Sequence, residues 1–215
     1  MRKPSAQQTI NSARVVAYSI SDEVEMQLRQ ILFEILQKYN CTELMAPIYT
    51  SIKELVINAI KANFKNIYFE DYSPKNRSHD IIKYEKALEL FKLEISRENS
   101  NYFEKLARKD DIKAVIELWT DDKMLHVKVA NPVTMTDREL NNVNKKLIDA
   151  ESCKDLADYC IKNLDDPYRE GAGLGLILIM MMLKSLQAPK ESLVITSEPR
   201  STTAYLKIPL VNEHR

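Results

Sequence analysis

Arg169-Glu170-Gly171-Ala172-Gly173-Leu174-Gly175-Leu176 leads directly into the apolar run Ile177-Leu178-Ile179-Met180-Met181-Met182-Leu183. The stretch holds all three glycines of a 215-residue chain, where ordinary usage would supply roughly 15. A chain that makes its other turns without glycine has concentrated bare backbone at one place. Glycine permits positive φ and close approach to the main chain, and a helix that starts just after such a loop points unpaired N–H groups back at whatever lies there. That is the physics of an anion or phosphate site. By itself, G-x-G-x-G reads equally as a tight turn feeding a buried helix, so a second motif has to decide.

Working outward, the helix after the loop is expected to run to about residue 186 and to be buried on most sides, with Pro189 stopping it. Two strands, 193–197 and 203–209, close the chain around a turn at 198–201. Upstream of the loop, Thr136-Asp137-Arg138-Glu139 forms a capping box that opens weakly apolar helices over 137–164. Segments 113–119 and 124–130 form a hairpin, in which Leu125, Val127 and Val129 alternate with His126 and Lys128, and Asn131-Pro132 ends its second strand. Cys153 and Cys160 fall on one face of a predicted helix, and small buried apolar side chains are the simplest account of both.

The first half is helical after one strand at 13–20. Asp22 with Glu25 reads as a capping box for a helix ending near Asn40, with Val24, Leu28, Ile31, Leu32, Ile35, Leu36 and Tyr39 on its apolar stripe. Pro47 opens a second helix over about 48–64, with Ile52, Leu55, Val56, Ala59, Ile60 and Asn63 at helical spacing. That helix contains Lys53-Glu54-Leu55-Val56-Ile57-Asn58-Ala59-Ile60-Lys61, which places Glu54, Asn58 and Lys61 on one face. A carboxylate, an amide and an ammonium so arranged can activate a nucleophile, hold a metal and meet a phosphate, or form a solvated face. Residues 71–112 are a polar helical excursion whose seam of Ile81, Tyr84, Leu88, Phe91 and Ile95 suits packing on its own domain or a partner surface. Ser78-His79-Asp80, at its start, faintly suggests a phosphoacceptor histidine.

Lys plus Arg and Asp plus Glu both total 31, so no basic excess points to nucleic acid or to an acidic membrane surface. The longest apolar run is far short of the 18 or so residues that span a bilayer, and the start lacks the apolar core of a signal peptide. The expected location is the cytoplasm. The three cysteines and three histidines are scattered and form no metal-ligand cluster.

Taken in order, the strand, helix, E-x-x-x-N helix, hairpin, variable segment, G-x-G-L-G-L, buried helix and terminal hairpin resemble the Bergerat-fold ATPases and kinases, above all histidine kinases and anti-sigma-factor serine kinases. The resemblance covers most of residues 10–210, outside the 71–112 helices. It implies an α+β fold, a two-layer α/β sandwich in which a mixed, mostly antiparallel sheet carries helices on one face, as a single domain with a helical insertion. It further implies ATP and Mg²⁺ as ligands. Asn58 is similar to the family's metal-holding asparagine, Glu54 to its general base, and Lys61 to a cation near the phosphates; Gly171, Gly173, Leu174 and Gly175 resemble its phosphate loop. Where the family has an aspartate for the adenine amino group, followed by a glycine, this chain has Asn131-Pro132. The resemblance implies phosphoryl transfer to, or nucleotide-dependent gripping of, a regulatory protein partner of the anti-sigma, anti-anti-sigma or response-regulator kind; a homodimer through the 71–112 helices is a further expectation. The altered adenine motif leaves open a non-catalytic interaction module that keeps the fold.

Overall fold

The computed structural model describes residues 12–72, 81–96, 100–162 and 174–210. Their strands are β1 (Ser12–Ala17), β2 (Ala114–Asp121), β3 (Met124–Asn131), β4 (Leu193–Glu198) and β5 (Ser201–Pro209), which form one open sheet in the order β1-β2-β3-β5-β4. All four pairings are antiparallel, so the sheet is more uniform than the mixed one the sequence allowed. The helices are α1 (Asp22–Lys38), α2 (Met45–Tyr72), α3 (Ile81–Ser96), α4 (Ser100–Lys109), α5 (Asp137–Ser152), α6 (Leu156–Lys162) and α7 (Leu174–Ser185). The result is an α+β two-layer arrangement.

Strand alternation decides which face the helices take. Val15, Ile116, Leu118, Leu125, Val127, Val129, Leu206 and Ile208 all point to one side and are buried. Against them lie α1 with Leu28, Leu32 and Leu36, α2 with Ile48, Ile52, Leu55 and Val56, and α7 with Leu176, Ile179, Met182 and Leu183. Each such aliphatic side chain contributes on the order of 1.5–3 kcal/mol when fully withdrawn from water. The opposite sheet face carries Trp119, His126 and Tyr205 stacked together, with Trp119 and His126 nearly parallel at 5.1 Å. His126 bonds Asp121 through Nε2 at 2.6 Å and meets the Tyr205 hydroxyl through Nδ1. These neighbours bury a histidine that alternation alone puts on the outer face.

The β2–β3 turn uses only Asp122 and Lys123, with φ of 37° and 64°. Both residues take the left-handed region without glycine, which matches the twist of a two-residue hairpin.

Several boundaries differ from the sequence expectation. The α1 cap is Ser21, extended at φ −88° and ψ 159°, whose hydroxyl accepts from Val24 N; Asp22 is already helical. Glu25 does not close a capping box, because its carboxylate takes the Tyr49 hydroxyl at 2.7 Å and the Lys53 ammonium. Helix α2 runs on past Phe64, because Phe64 and Tyr68 have partners there: Phe103 stacks on Phe64 at 5.6 Å and Phe91 packs on Tyr68 at 5.4 Å. Such contacts add about 0.5–1.5 kcal/mol each beyond area burial, so α3 and α4 pack on their own domain, with Leu90, Leu93 and Tyr102 outward. Cys153 and Cys160 do not share a helix: α5 stops at Ser152, Cys153 is extended and buried, and Cys160 lies in α6. Lys184 closes that helix end, donating from Nζ to the carbonyls of Ala150, Glu151 and Cys153 at 2.8, 2.7 and 2.6 Å.

Candidate functional site

Helix α2 has one stripe that the core does not use. Glu54 is half-buried and Asn58 and Lys61 are exposed. None of the three makes a hydrogen bond or ion pair among the described residues. Their neighbours on the same helix behave differently. Lys53 is held by Glu25 on α1, and Lys65, one turn beyond Lys61 on the same stripe, is held by Glu139 on α5. The helix therefore carries both committed charges and open ones.

The start of α7 lies against the open group. A Cβ built on Gly175 would come within 2.8 Å of Glu54 Cδ and 3.0 Å of Cγ, and nearer still to Oε2. The Glu54 carboxylate occupies the space that a side chain at position 175 would take, so a larger residue there would have to displace it. Gly175 is the second residue of α7, so the unpaired N–H groups of the helix's first turn lie close to the same carboxylate. The fold thus brings together two motifs that are remote in sequence. Leu174 opens α7 and is 45% exposed. Gly171 and Gly173 lie outside the described residues, as does His79.

Further along α2, at Asn63 and Lys65, the helix meets β3 and α5. Thr136 caps α5 in a complete capping box, as its motif predicts: Glu139 N donates to Thr136 Oγ1 at 3.3 Å and Thr136 N to Glu139 Oε2 at 2.9 Å. Burial pushes the Glu139 carboxyl up, but the Lys65 charge and hydrogen bond, with the Thr136 bonds, outweigh it and hold the group below the usual glutamate range. The pair anchors the first turn of α5 to α2.

Asn131 closes β3 on the helix-facing side of the sheet and is 5% exposed. Its amide meets that of Asn63 on α2, with 3.1 Å between Asn131 Nδ2 and Asn63 Oδ1. Thr202 pairs with Asn131 in register, and Ser197 with Thr202, so the sheet ends here in a polar row. The Thr202 hydroxyl donates to the Val133 carbonyl at 2.6 Å and Ser197 Oγ accepts from Met135 N at 2.8 Å, which pins the segment after Pro132.

Asn63, Lys65, Glu139, Thr202 and Ser197 were not singled out by the sequence reading as site residues. Asn63 was placed correctly on the inward stripe of α2, and a polar residue at a core position is the signal that could have found it. The others depend on pairing across the fold, which leaves no local pattern.

Elsewhere, a crevice of about 320 Å³ lies between the ends of α5 and α7, lined in part by Glu151, Lys184 and Lys190. It includes none of Glu54, Asn58, Lys61, Asn131, Leu174 and Gly175, and its polar groups are engaged with one another or with the α5 carbonyls. Cys41 is buried and its thiol is pushed up to about 11 by burial and Glu43, the opposite of an activated nucleophile. Among the described residues no three His, Cys, Asp or Glu side chains gather as a metal cage, and no helix is long and apolar enough to cross a membrane.

No family model matches the chain. It is 28% identical over 198 residues to an uncharacterized protein of Treponema pallidum (strain Nichols). The aligned region is 91% of this chain and 37% of that protein, so the chain spans little more than a third of its relative's length.

Proposed function

We propose that the chain is a Bergerat-type nucleotide-binding domain of the kinase kind, which transfers a phosphoryl group to a protein hydroxyl or uses bound nucleotide to grip a regulatory protein. The observation that carries this reading is the seat of Glu54 on Gly175, beside Asn58 and Lys61, none of them partnered among the described residues. The carboxylate lies where a side chain at position 175 would project.

The donor set fits a hard cation with a polyphosphate. Asn58 supplies an amide oxygen of the kind Mg²⁺ accepts alongside water and phosphate oxygens. Bound there, Mg²⁺ would neutralise charge on the transferred group. Lys61 adds a fixed positive charge on the same stripe, and the α7 start adds backbone donors. Glu54, set against Gly175 and without an ion pair among the described residues, would take a proton from an attacking hydroxyl.

Thermal melts of the whole chain test this reading. Millimolar Mg·nucleotide is expected to raise the melting temperature of the parent, and the rise should vanish in Asn58→Ala. A parent that melts unchanged with every Mg·nucleoside triphosphate would end the proposal.

One observation favours a second reading, a non-catalytic interaction module: Asn131, at the family's adenine position, is buried and already bonded to Asn63. In that case α3 and α4, with Leu90, Leu93 and Tyr102 outward, would supply the partner surface. Turnover that disappears in Glu54→Ala would decide against it.

A further inference from the structure

The sheet face opposite the helices carries a connected set of polar side chains that the stripe on α2 does not use. Asp121, at the end of β2, is 58% exposed and lies 2.6 Å from His126 Nε2. His126 Nδ1 meets the Tyr205 hydroxyl on β5. The imidazole between them is only 7% exposed, with Trp119 nearly parallel to it at 5.1 Å and the Tyr205 ring at 5.8 Å. Carboxylate, imidazole and hydroxyl thus follow one another across three adjacent strands.

The order of the three groups decides what they can do. An ionised carboxylate only accepts, so in the neutral imidazole the hydrogen stands on Nε2 and the Nδ1 lone pair faces the phenol. The Tyr205 hydroxyl donates to it. Burial and the Asp121 charge hold that phenol above its usual range, so Tyr205 keeps its proton at rest and gives it up only to a base already in place. When the oxygen attacks, Nδ1 takes the proton; the imidazolium that forms is met by Asp121 at one end and by the face of Trp119 on its flank. The Tyr18 and Tyr49 hydroxyls have no such relay, because they donate straight to the carboxylates of Asp111 and Glu25, which are far too weakly basic to take a phenol's proton. Lys207, two residues beyond Tyr205 and so on the same face, sets Nζ 5.3 Å from the Tyr205 ring centroid. It supplies positive charge for an anionic reactant.

We propose that Tyr205 is a phosphoacceptor: its hydroxyl, with His126 as base and Asp121 as the positioning residue of that base, takes a phosphoryl group from an acyl phosphate. The Tyr205 Oη–P bond forms, the P–O bond to the acyl group breaks, and the phenol proton passes to His126 Nδ1 and then to water. The carboxylate leaves without needing a proton, so the step calls for a base and no acid. This site lies on the other face of the sheet from Glu54 and Gly175 and does not depend on the nucleotide reading.

Incubation of the whole chain with millimolar acetyl phosphate, followed by peptide mapping, tests this. Acid-stable phosphate is expected on Tyr205 at a rate on the order of 10²-fold above that at the exposed Tyr102. His126→Gln should bring the Tyr205 rate down to that of Tyr102. Asp121→Asn, at an exposed position, should lower it on the order of tenfold, and Asp121→Glu, which keeps the acceptor, should recover it. Labelling of Tyr205 no faster than that of Tyr102 overturns the proposal, as does acid-labile phosphate on His126 itself. An unchanged rate in a folded His126→Gln overturns the role of the base, and an unchanged rate in Asp121→Asn the positioning role. Should His126→Gln fail to fold, the Tyr102 comparison and the two position-121 variants still decide.

Discussion

Helix α2 meets the rest of the fold at two polar places, and they are built in opposite ways. Near its start, Glu54 lies against a glycine, with Asn58 and Lys61 following on the water-facing stripe, and none of them is bonded to another of the described residues. Further along, Asn63 is sealed against Asn131 and Lys65 is bonded to Glu139. The difference follows burial. A polar group withdrawn from water must find a partner, because leaving it unmet loses about 1–3 kcal/mol, whereas an exposed group keeps its hydration and stays available. The described polar contacts are concentrated at the second place, and the open polar groups at the first.

Three substitutions can break this contrast. The largest effect is expected for Glu54→Gln, which keeps shape but removes the proposed base: the proposed phosphoryl transfer, followed with labelled nucleotide, should fall about 10²–10⁴-fold, with the melting temperature unchanged. A matching loss of stability would mean that Glu54 is structural after all.

Lys65→Met comes next, because it strips the partner from a half-buried carboxylate. Urea unfolding near pH 7 should show a loss of about 1–2 kcal/mol. The pH dependence supplies the sign. The Glu139 carboxyl is held low in the folded protein, so its contribution is complete above the ordinary glutamate value of about 4.3. It is lost as pH falls through the lower, folded value. The variant should therefore differ most from the parent at neutral pH and converge with it in acid; a gap that stays constant down to low pH would exclude the ion pair as its cause.

Gly175→Ala should have the smallest effect on stability and the sharpest meaning. Alanine suits a helix better than glycine by up to about 1 kcal/mol, and the atoms its methyl would meet are the far end of a flexible side chain. The expected outcome is a melting temperature equal to or slightly above the parent's, with the stabilisation by Mg·nucleotide lost because the carboxylate has been displaced. Retention of the full ligand-induced shift would show that the position of Glu54 is irrelevant to binding.

Much of the fold was legible because it rests on repeating local patterns. The stripe of α1, the β2–β3 hairpin, the Thr136 capping box and the apolar run of α7 each show a period or a cap at fixed spacing, and each lies within a residue or two of its expected place. The misses occurred where two local choices were equally good or where a distant partner decided. Ser21 and Asp22 are both sound caps, and the extended backbone at Ser21 made the choice. The length of α2 was set by Phe91 and Phe103, which arrive from other helices.

For the candidate site the division is the same. The sequence by itself determined which residues could do chemistry: Glu54, Asn58 and Lys61 on one helix face by spacing, and glycine confined to one loop by composition. Only the tertiary structure decided which of them are together and which are open. It set Gly175 on Glu54, engaged Lys53 and Lys65 while leaving Lys61 exposed, and turned Asn131 inward to Asn63. Spacing along a chain fixes faces, whereas whether a polar group is met by protein or by water depends on what packs across from it.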